Sequence, residues 1–251
     1  PFDSCRGEIE FENVSFAYVK NDYVLKNISF DIKQGEKVAF VGATGAGKSS
    51  IMNLLCRFYD AQHGDITIDG KNIKDIRQSD LRKNIGLVVQ DIFLFSDTIS
   101  NNISLNNELI SNKKIMDSAK IIGIDGFIQQ LPQKYGQNVK ERGVTLSQGQ
   151  RQLITFARAL AYDPRILILD EATSSVDTHS EILIQNAIDK LMEGRTSIII
   201  AHRLSTIQKC DKIIVMHKGE IRESGTHHQL LELGGIYSKL YQLQYKESYN
   251  A

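Results

Sequence analysis

The stretch Gly42-Ala43-Thr44-Gly45-Ala46-Gly47-Lys48-Ser49 decides how the rest of this sequence folds. It follows a short apolar run, Val38–Val41, and precedes residues 51–59, whose apolar side chains have helical spacing. A strand, a glycine-rich loop and a helix in this order are the setting in which G-x-x-x-x-G-K-[ST] binds phosphate. Glycines let consecutive backbone N–H groups point at phosphate oxygens, and the helix N-terminus adds positive potential.

The motif therefore predicts a phosphate-binding loop, with Lys48 on the β- and γ-phosphates and the Ser49 hydroxyl on Mg²⁺. A chance match within a glycine-containing turn is the alternative, and the strand and helix on either side argue against it. The residues assigned to this site are Gly42, Ala43, Thr44, Gly45, Ala46, Gly47, Lys48, Ser49 and Ser50.

The overall composition is that of a globular protein. Of 251 residues, 41% are apolar and 24% are charged, which is enough for a full α/β domain with a core. Thirty basic residues balance thirty acidic ones, so no net field attracts nucleic acid or an anionic membrane. We therefore expect no nucleic-acid partner.

The three cysteines, Cys5, Cys56 and Cys210, lie far apart and lack metal-ligand spacing. Reduced thiols in a cytosol-facing compartment fit this pattern, with Cys56 predicted to be a buried apolar residue. No apolar run approaches the roughly 20 residues that span a bilayer. The chain begins at Pro1 rather than Met, and we expect it to be one part of a longer protein.

Hydrophobic periodicity changes twice along the chain. Alternating apolar residues predict two outer strands before the loop, at Ile9–Phe16 and Val24–Ile32. From Asp91 to Tyr162 strand signals give way to helical segments at 111–122, 126–131 and 148–162. Strand signals return at 165–170, 196–201 and 212–217, with capping boxes at Thr178–Glu181 and Thr226–Gln229 opening helices between and after them.

Strands that alternate with helices predict an α/β fold with a mainly parallel sheet. We expect one domain over 1–251. Its core comprises 1–90 and 163–251 and includes an N-terminal antiparallel β subdomain, and a helical subdomain is inserted at 91–162. The C-terminal helix is predicted to run from the second capping box to about Lys246.

A second chemical motif follows the buried strand Ile166–Leu169, where two carboxylates, Asp170 and Glu171, come directly after the apolar residues. Binding sites of α/β sheets lie at the carboxyl ends of strands. In a protein with a phosphate loop, an aspartate there holds Mg²⁺. Glu171 is then placed to polarise an attacking water as a general base. A solvated acidic turn is the alternative.

The third motif is Leu146-Ser147-Gln148-Gly149-Gln150. With it the chain resembles the nucleotide-binding domain of an ABC transporter, whose signature is written LSGGQ. The resemblance covers nearly the whole chain and implies a P-loop NTPase (RecA-like) fold that binds and hydrolyses ATP with Mg²⁺. Further positions that match the family pattern, in the family's order, are Tyr18, Gln90, Asp163-Pro164, Ser174-Ser175-Val176-Asp177 and His202.

The resemblance implies a role for each matching residue. Tyr18 would stack on adenine, Gln90 would contact Mg²⁺ or the attacking water, and His202 would bind the γ-phosphate and position Glu171. In the family two such domains pair head to tail. The residues implied to reach the ATP of the partner domain are Ser147, Gln148, Gly149, Gln150 and Asp177.

The signature also has a physical interpretation. Ser147 can cap the helix 148–162, and the amides of Gly149 and Gln150 would then point outward as an anion site. Gln148 departs from the family pattern, which has glycine at that position. Since Ser147 and Gly149 are intact, we expect a working signature.

Two segments resemble the exporter branch of the family, Val139–Gly143 and Gln90–Ile99. The apolar Phe93-Leu94-Phe95 cluster in a predicted loop favours a partner surface over water. A solvated charged turn is the alternative for residues 140–142. The resemblance thus implies an exporter ATPase that docks on a transmembrane domain and lies on the cytoplasmic side of the inner membrane.

Three alternatives stay open at this stage: an importer ATPase subunit, a non-transport ABC ATPase acting on DNA or ribosomes, and a regulatory module that binds ATP without hydrolysing it. Glu171 and His202 argue against the last, and the balanced charge argues against the second. The cargo of an exporter is selected by membrane helices, which are not in this sequence.

Overall fold

A computed structural model describes residues 2, 4–140, 143–170, 178–200 and 203–249. The strands in these ranges are β1 Ile9–Val19, β2 Asp22–Ile32, β3 Lys37–Val41, β4 His63–Ile68, β5 Lys71–Asn72, β6 Ile85–Val88, β7 Ile166–Asp170, β8 Thr196–Ile200, β9 Lys212–His217 and β10 Glu220–Gly225. The helices are α1 Lys48–Leu55, α2 Gln78–Lys83, α3 Ile99–Ser104, α4 Asn112–Ile122, α5 Asp125–Gln130, α6 Gln148–Tyr162, α7 Thr178–Met192, α8 Leu204–Ile207, α9 His227–Leu233 and α10 Ile236–Tyr249.

The first of two compact units carries the sheets and comprises Pro1–Ile85, Arg165–Glu171 and Gly194–Ala251. Strands β2, β1, β4 and β5 form an antiparallel sheet in that order. A second sheet contains, among its strands, β10, β9, β3, β8 and β7 in that order; β9, β3, β8 and β7 run parallel, and β10 is antiparallel to β9. The predicted α/β class with a mainly parallel sheet and an antiparallel β subdomain is confirmed.

The second unit is helical and comprises Gly86–Pro164 and Ala172–Glu193. Helix α7 packs here against α4 and α6, whereas the predicted boundaries assigned all of 163–251 to the sheet core. The reason is its apolar face, since Ile184, Ala187, Ile188 and Leu191 are buried and helices α4 and α6 supply the surface that covers them. The predicted helix Gln148–Tyr162 is confirmed at both ends.

The helix after the glycine loop is shorter than the apolar spacing through Tyr59 suggested. It ends at Leu55, and Arg57 adopts a left-handed conformation with φ 51°. The Phe58 amide donates to the Asn53 carbonyl at 2.9 Å. Tyr59 therefore lies on the surface beyond the helix, about half exposed.

The C-terminal helix is interrupted, which corrects the single helix predicted to run to about Lys246. The predicted capping box at Thr226 is present and opens α9, but Gly234 ends that helix with φ 65°. A carboxylate from β10, a strand that sequence reasoning missed, then caps α10: Glu223 accepts hydrogen bonds from the amides of Ile236 and Tyr237. A strand that is distant in the sequence thus sets where the last helix begins.

The three cysteines, all within the described residues, are buried and form no disulfide, and the burial of Cys56 is as predicted. Burial raises the pKa of the Cys5 and Cys56 thiols to about 12. At neutral pH these two thiols are protonated, and a protonated thiol is a poor nucleophile.

Removing the Glu223 carboxylate tests this account of the C-terminal region. We expect Glu223→Ala to lower the free energy of unfolding by about 1–2 kcal/mol, because two amides at the start of α10 lose their acceptor. Thermal and urea unfolding followed by circular dichroism measure the change. The control Glu232→Ala alters an exposed residue of α9 and should change stability by less than about 0.5 kcal/mol; equal effects of the two variants would contradict the capping role.

Candidate functional site

The glycine loop is held by backbone conformation and close packing together. Gly42 and Gly47 have φ angles of 154° and 103°, a region that side chains rarely adopt. A Cβ atom on Gly42 would overlap the Met216 carbonyl at the end of β9, and one on Gly47 would lie 2.7 Å from Leu25 Cδ2. The loop can approach β2 and β9 this closely only because glycine occupies both positions.

Gly219, in the turn between β9 and β10, holds the glycine loop through its backbone. Its amide donates to the Ala46 carbonyl at 3.1 Å, and its own carbonyl accepts from the Lys26 amide at 2.8 Å. A Cβ atom at Gly219 would clash with the Val24 carbonyl. Sequence reasoning missed this residue, although the glycine after the apolar run 213–216 was a turn signal.

Lys48 is buried inside the loop that precedes it, at 6% exposure. Its ammonium donates to the carbonyls of Gly42 at 2.7 Å and Ala43 at 3.1 Å. Burial lowers the pKa of Lys48, and the charge of Asp170 opposes that shift. Within the described residues, two carbonyl groups and one carboxylate compensate this buried cation. Such a cation is suited to an incoming anion such as a phosphate.

The register of the parallel strands explains how Asp170 comes close to Lys48. Asp170 pairs with Ile200 on β8, and Ile200 pairs with Phe40 on β3. The carboxyl ends of β3 and β7 therefore meet at one edge of the sheet, about 10 Å apart across β8. Ser49, in the first turn of α1, is exposed, so this edge of the sheet carries a carboxylate and a hydroxyl, which are oxygen groups of the kind that a hard cation prefers.

Tyr18 lies beside helix α1 with 45% of its surface exposed. Its hydroxyl is 3.2 Å from Ser50 Oγ and accepts a hydrogen bond from Asn53 Nδ2 at 2.8 Å. The side chain of Ser50, which was assigned to the phosphate site, is thus directed at Tyr18. The first unit brings together Tyr18, the glycine loop, Lys48 and Asp170.

The signature residues begin α6 in the helical unit. Ser147 caps the helix as predicted, accepting from the Gln150 amide at 3.2 Å, and its own amide donates to Gln150 Oε1 at 2.9 Å. The backbone N–H of Gln150 is therefore bonded to Ser147 Oγ. The prediction that this N–H points outward as part of an anion site is wrong. Gly149 is buried, whereas Gln148 is exposed, so glutamine at the departing position meets no steric obstacle.

The two exporter-like segments lie next to each other in the helical unit. Phe93 and Phe95 are 51% and 52% exposed, with ring centroids 5.0 Å apart, while Leu94 between them is fully buried. The Val139 amide donates to the Asp97 carbonyl at 3.0 Å, joining the second segment to the first. An exposed aromatic pair fixed on a buried anchor is typical of a docking surface.

Two residues that sequence reasoning missed hold this aromatic segment. Asn102 is fully buried; its side chain accepts from the Phe95 amide at 2.8 Å and donates to the Phe95 and Thr98 carbonyls at 3.0 Å each. Arg158 on α6 donates to the Asn102 carbonyl at 2.7 Å and to the Phe93 carbonyl at 3.3 Å. No family motif marked either residue, and only the fold reveals their role.

The remaining predicted residues are placed less completely. Gln90 is exposed, two residues beyond the end of β6, in the helical unit. Glu171, Asp177 and His202 lie outside the described residues, as do Glu141 and Arg142 of the second exporter-like segment.

Comparison with known protein families identifies what this arrangement is. The family described as ABC transporter matches residues 25–174, which include the glycine loop, Asp170 and the signature. The chain belongs to the ABC transporter family. It has the P-loop NTPase fold of that family, and it is an ATPase domain.

Two similar proteins extend the comparison. A probable multidrug resistance ABC transporter ATP-binding/permease protein of Bacillus subtilis is 52% identical over 238 residues, covering 95% of this chain and 35% of that protein. A solved structure of a bacterial Atm1-family ABC exporter with ATP bound is 42% identical, with a TM-score of 0.88, over 95% of this chain and 42% of that one. The ABC transporter chain thus spans well under half the length of these relatives. Within the described residues no helix combines the length and apolarity needed to cross a membrane.

Lys48 provides the direct test of the phosphate loop. We expect Lys48→Ala to weaken ATP binding about 10- to 100-fold, because a charge-assisted hydrogen bond to phosphate is lost. Isothermal titration calorimetry with MgATP measures this. Lys71→Ala removes an exposed lysine and serves as the control; an unchanged ATP affinity in Lys48→Ala would contradict the assignment.

Asn102 tests the support of the aromatic segment. Asn102→Ala should lower the free energy of unfolding by about 2–4 kcal/mol, because buried amide and carbonyl groups of residues 95–98 lose their partner. Urea unfolding measures the loss, with the exposed Asn112→Ala as the matched control. If both variants unfold at the same urea concentration, the side chain of Asn102 does not stabilise the segment of residues 95–98.

Proposed function

We propose that this ATPase domain powers export through a transmembrane domain. The observation that carries the proposal is the exposed Phe93 and Phe95 pair, joined to the segment at Val139, in the unit that bears the signature helix. Apolar aromatic side chains at a protein surface favour a partner that covers them. The similarity to a multidrug resistance transporter and to an exporter of known structure supports the same conclusion.

The first unit contains the residues that would bind the nucleotide and Mg²⁺. Glycine-loop amides and Lys48 would hold the phosphates, and Tyr18 would stack on adenine. Mg²⁺, when bound, would neutralise charge on the β- and γ-phosphates, and Ser49 and Asp170 are the residues of this unit that would hold it. Glu171 would act as the general base that accepts a proton from the attacking water, and His202 would bind the γ-phosphate and position Glu171.

Two such domains would pair head to tail around two ATP molecules. In that arrangement Ser147 to Gln150 and Asp177 of each chain would reach the nucleotide on the other. Ser147 is exposed at the start of α6, which is where a partner's phosphate would meet the positive end of the helix. ATP binding would close the pair and hydrolysis would reopen it, on the cytoplasmic side of the inner membrane.

ATP-dependent pairing of the Glu171→Gln variant tests the proposal. Loss of a general base should slow turnover by about 10²- to 10⁴-fold while leaving ATP binding intact. We therefore expect this variant to be monomeric without nucleotide and dimeric with MgATP. Multi-angle light scattering measures the mass, and phosphate release measures turnover.

Glu232→Gln, an exposed change on α9, is the matched control and should turn over normally. Normal turnover in Glu171→Gln would remove Glu171 from its role. A variant that binds ATP and stays monomeric would argue against pairing of two copies of this chain.

A further inference from the structure

The hydroxyl of Tyr18 is held by two residues of α1. Asn53 Nδ2 donates to it at 2.8 Å, and Ser50 Oγ lies at 3.2 Å. Ser50 and Asn53 are three residues apart and therefore share one face of the helix. Tyr18 itself belongs to β1, so these contacts join the antiparallel sheet to the helix that starts at Lys48.

Aromatic neighbours restrict the ring as well. The ring of Phe16 lies at 4.6 Å and the ring of Tyr59 at 5.0 Å between centroids, both nearly perpendicular to the Tyr18 ring. The backbone of Asn53 contributes to this arrangement, because its carbonyl accepts the Phe58 amide in the turn that precedes Tyr59. The ring of Tyr18 is thereby fixed at its polar end by α1 and along its sides by two aromatic rings.

We propose that Asn53, with Ser50, is a positioning residue that sets the plane of Tyr18 for stacking on the base of the bound nucleotide. This inference rests on the proposed role of Tyr18 as the adenine platform. Stacking gains most when the ring is already oriented, because less side-chain freedom is lost on binding. The same helix begins with Lys48. One short helix therefore orients both Tyr18, which would stack on the base, and Lys48, which would bind the phosphates.

The inference separates base binding from phosphate binding. Loss of the Tyr18 hydrogen bonds should lower the affinity for a ligand that contains a base. It should not change the affinity for a triphosphate that lacks a base. Inorganic tripolyphosphate is therefore the reference ligand, and MgATP is the test ligand. Calorimetry of both on the same protein gives the comparison.

Three variants make the test. Tyr18→Phe removes the hydroxyl and keeps the ring, and Asn53→Ala removes the donor. Each should weaken MgATP binding about 2- to 10-fold, the net worth of one hydrogen bond, with tripolyphosphate affinity unchanged. In the double variant the effects should not add, and its ATP affinity should equal that of Tyr18→Phe alone.

Tyr135→Phe is the matched control, because it deletes a hydroxyl that donates to Asp125 at 2.6 Å in the helical unit. It should leave MgATP affinity unchanged. Thermal unfolding of every variant shows whether it is folded, and Tyr18→Phe alone carries the test if Asn53→Ala does not fold.

Tyr18→Ala keeps this inference distinct from the proposed function. If Tyr18→Ala weakens ATP binding but Tyr18→Phe and Asn53→Ala do not, the base platform stands and the positioning role is wrong. If Tyr18→Ala also binds ATP normally, the adenine-stacking role itself fails. Equal weakening of ATP and tripolyphosphate in Asn53→Ala would mean that this residue supports the phosphate loop, which also overturns the inference.

Discussion

The burial of the Lys48 ammonium within the glycine loop is the constraint on which the first unit depends. A cation at 6% exposure is costly unless it is compensated, and here two carbonyls and the charge of Asp170 compensate it. That compensation requires the loop to curl tightly. The curl in turn requires glycine at positions 42 and 47, where β9 and β2 leave no room for a Cβ atom.

The helical unit is organised around a different interaction, the hydrogen bonds of Asn102 and Arg158. Burial lowers the pKa of Arg158, yet its guanidinium still has carbonyl partners at Phe93 and Asn102. Buried polar groups that are fully paired make a rigid and specific structure. This rigidity keeps Phe93 and Phe95 exposed as a defined surface. Arg158, which holds them, belongs to α6, the helix that carries the signature at its start.

Sequence reasoning succeeded where a local pattern has one physical solution. Helix α6 was predicted at both ends, with Ser147 as its cap, and the structure adds that Ser147 and Gln150 form a capping box at its start. It failed where a distant residue decides: α10 begins separately because Glu223, from β10, caps it. The amide of Gln150 was assigned to an anion site, but the same capping box that starts the helix occupies that amide.

The sequence by itself determined the motifs of the ABC transporter chain: the glycine loop, the carboxylate at the end of β7 and the signature are each encoded within a few adjacent residues. Only the tertiary structure decided which residues hold these groups in place. Gly219 supports the loop, Asn53 holds Tyr18, and Asn102 and Arg158 hold the aromatic segment. These roles arise from contacts between residues that are mostly distant in the sequence, through backbone carbonyls and single polar side chains. Such contacts leave no periodic pattern, because the fold and not the neighbouring residues brings the partners together.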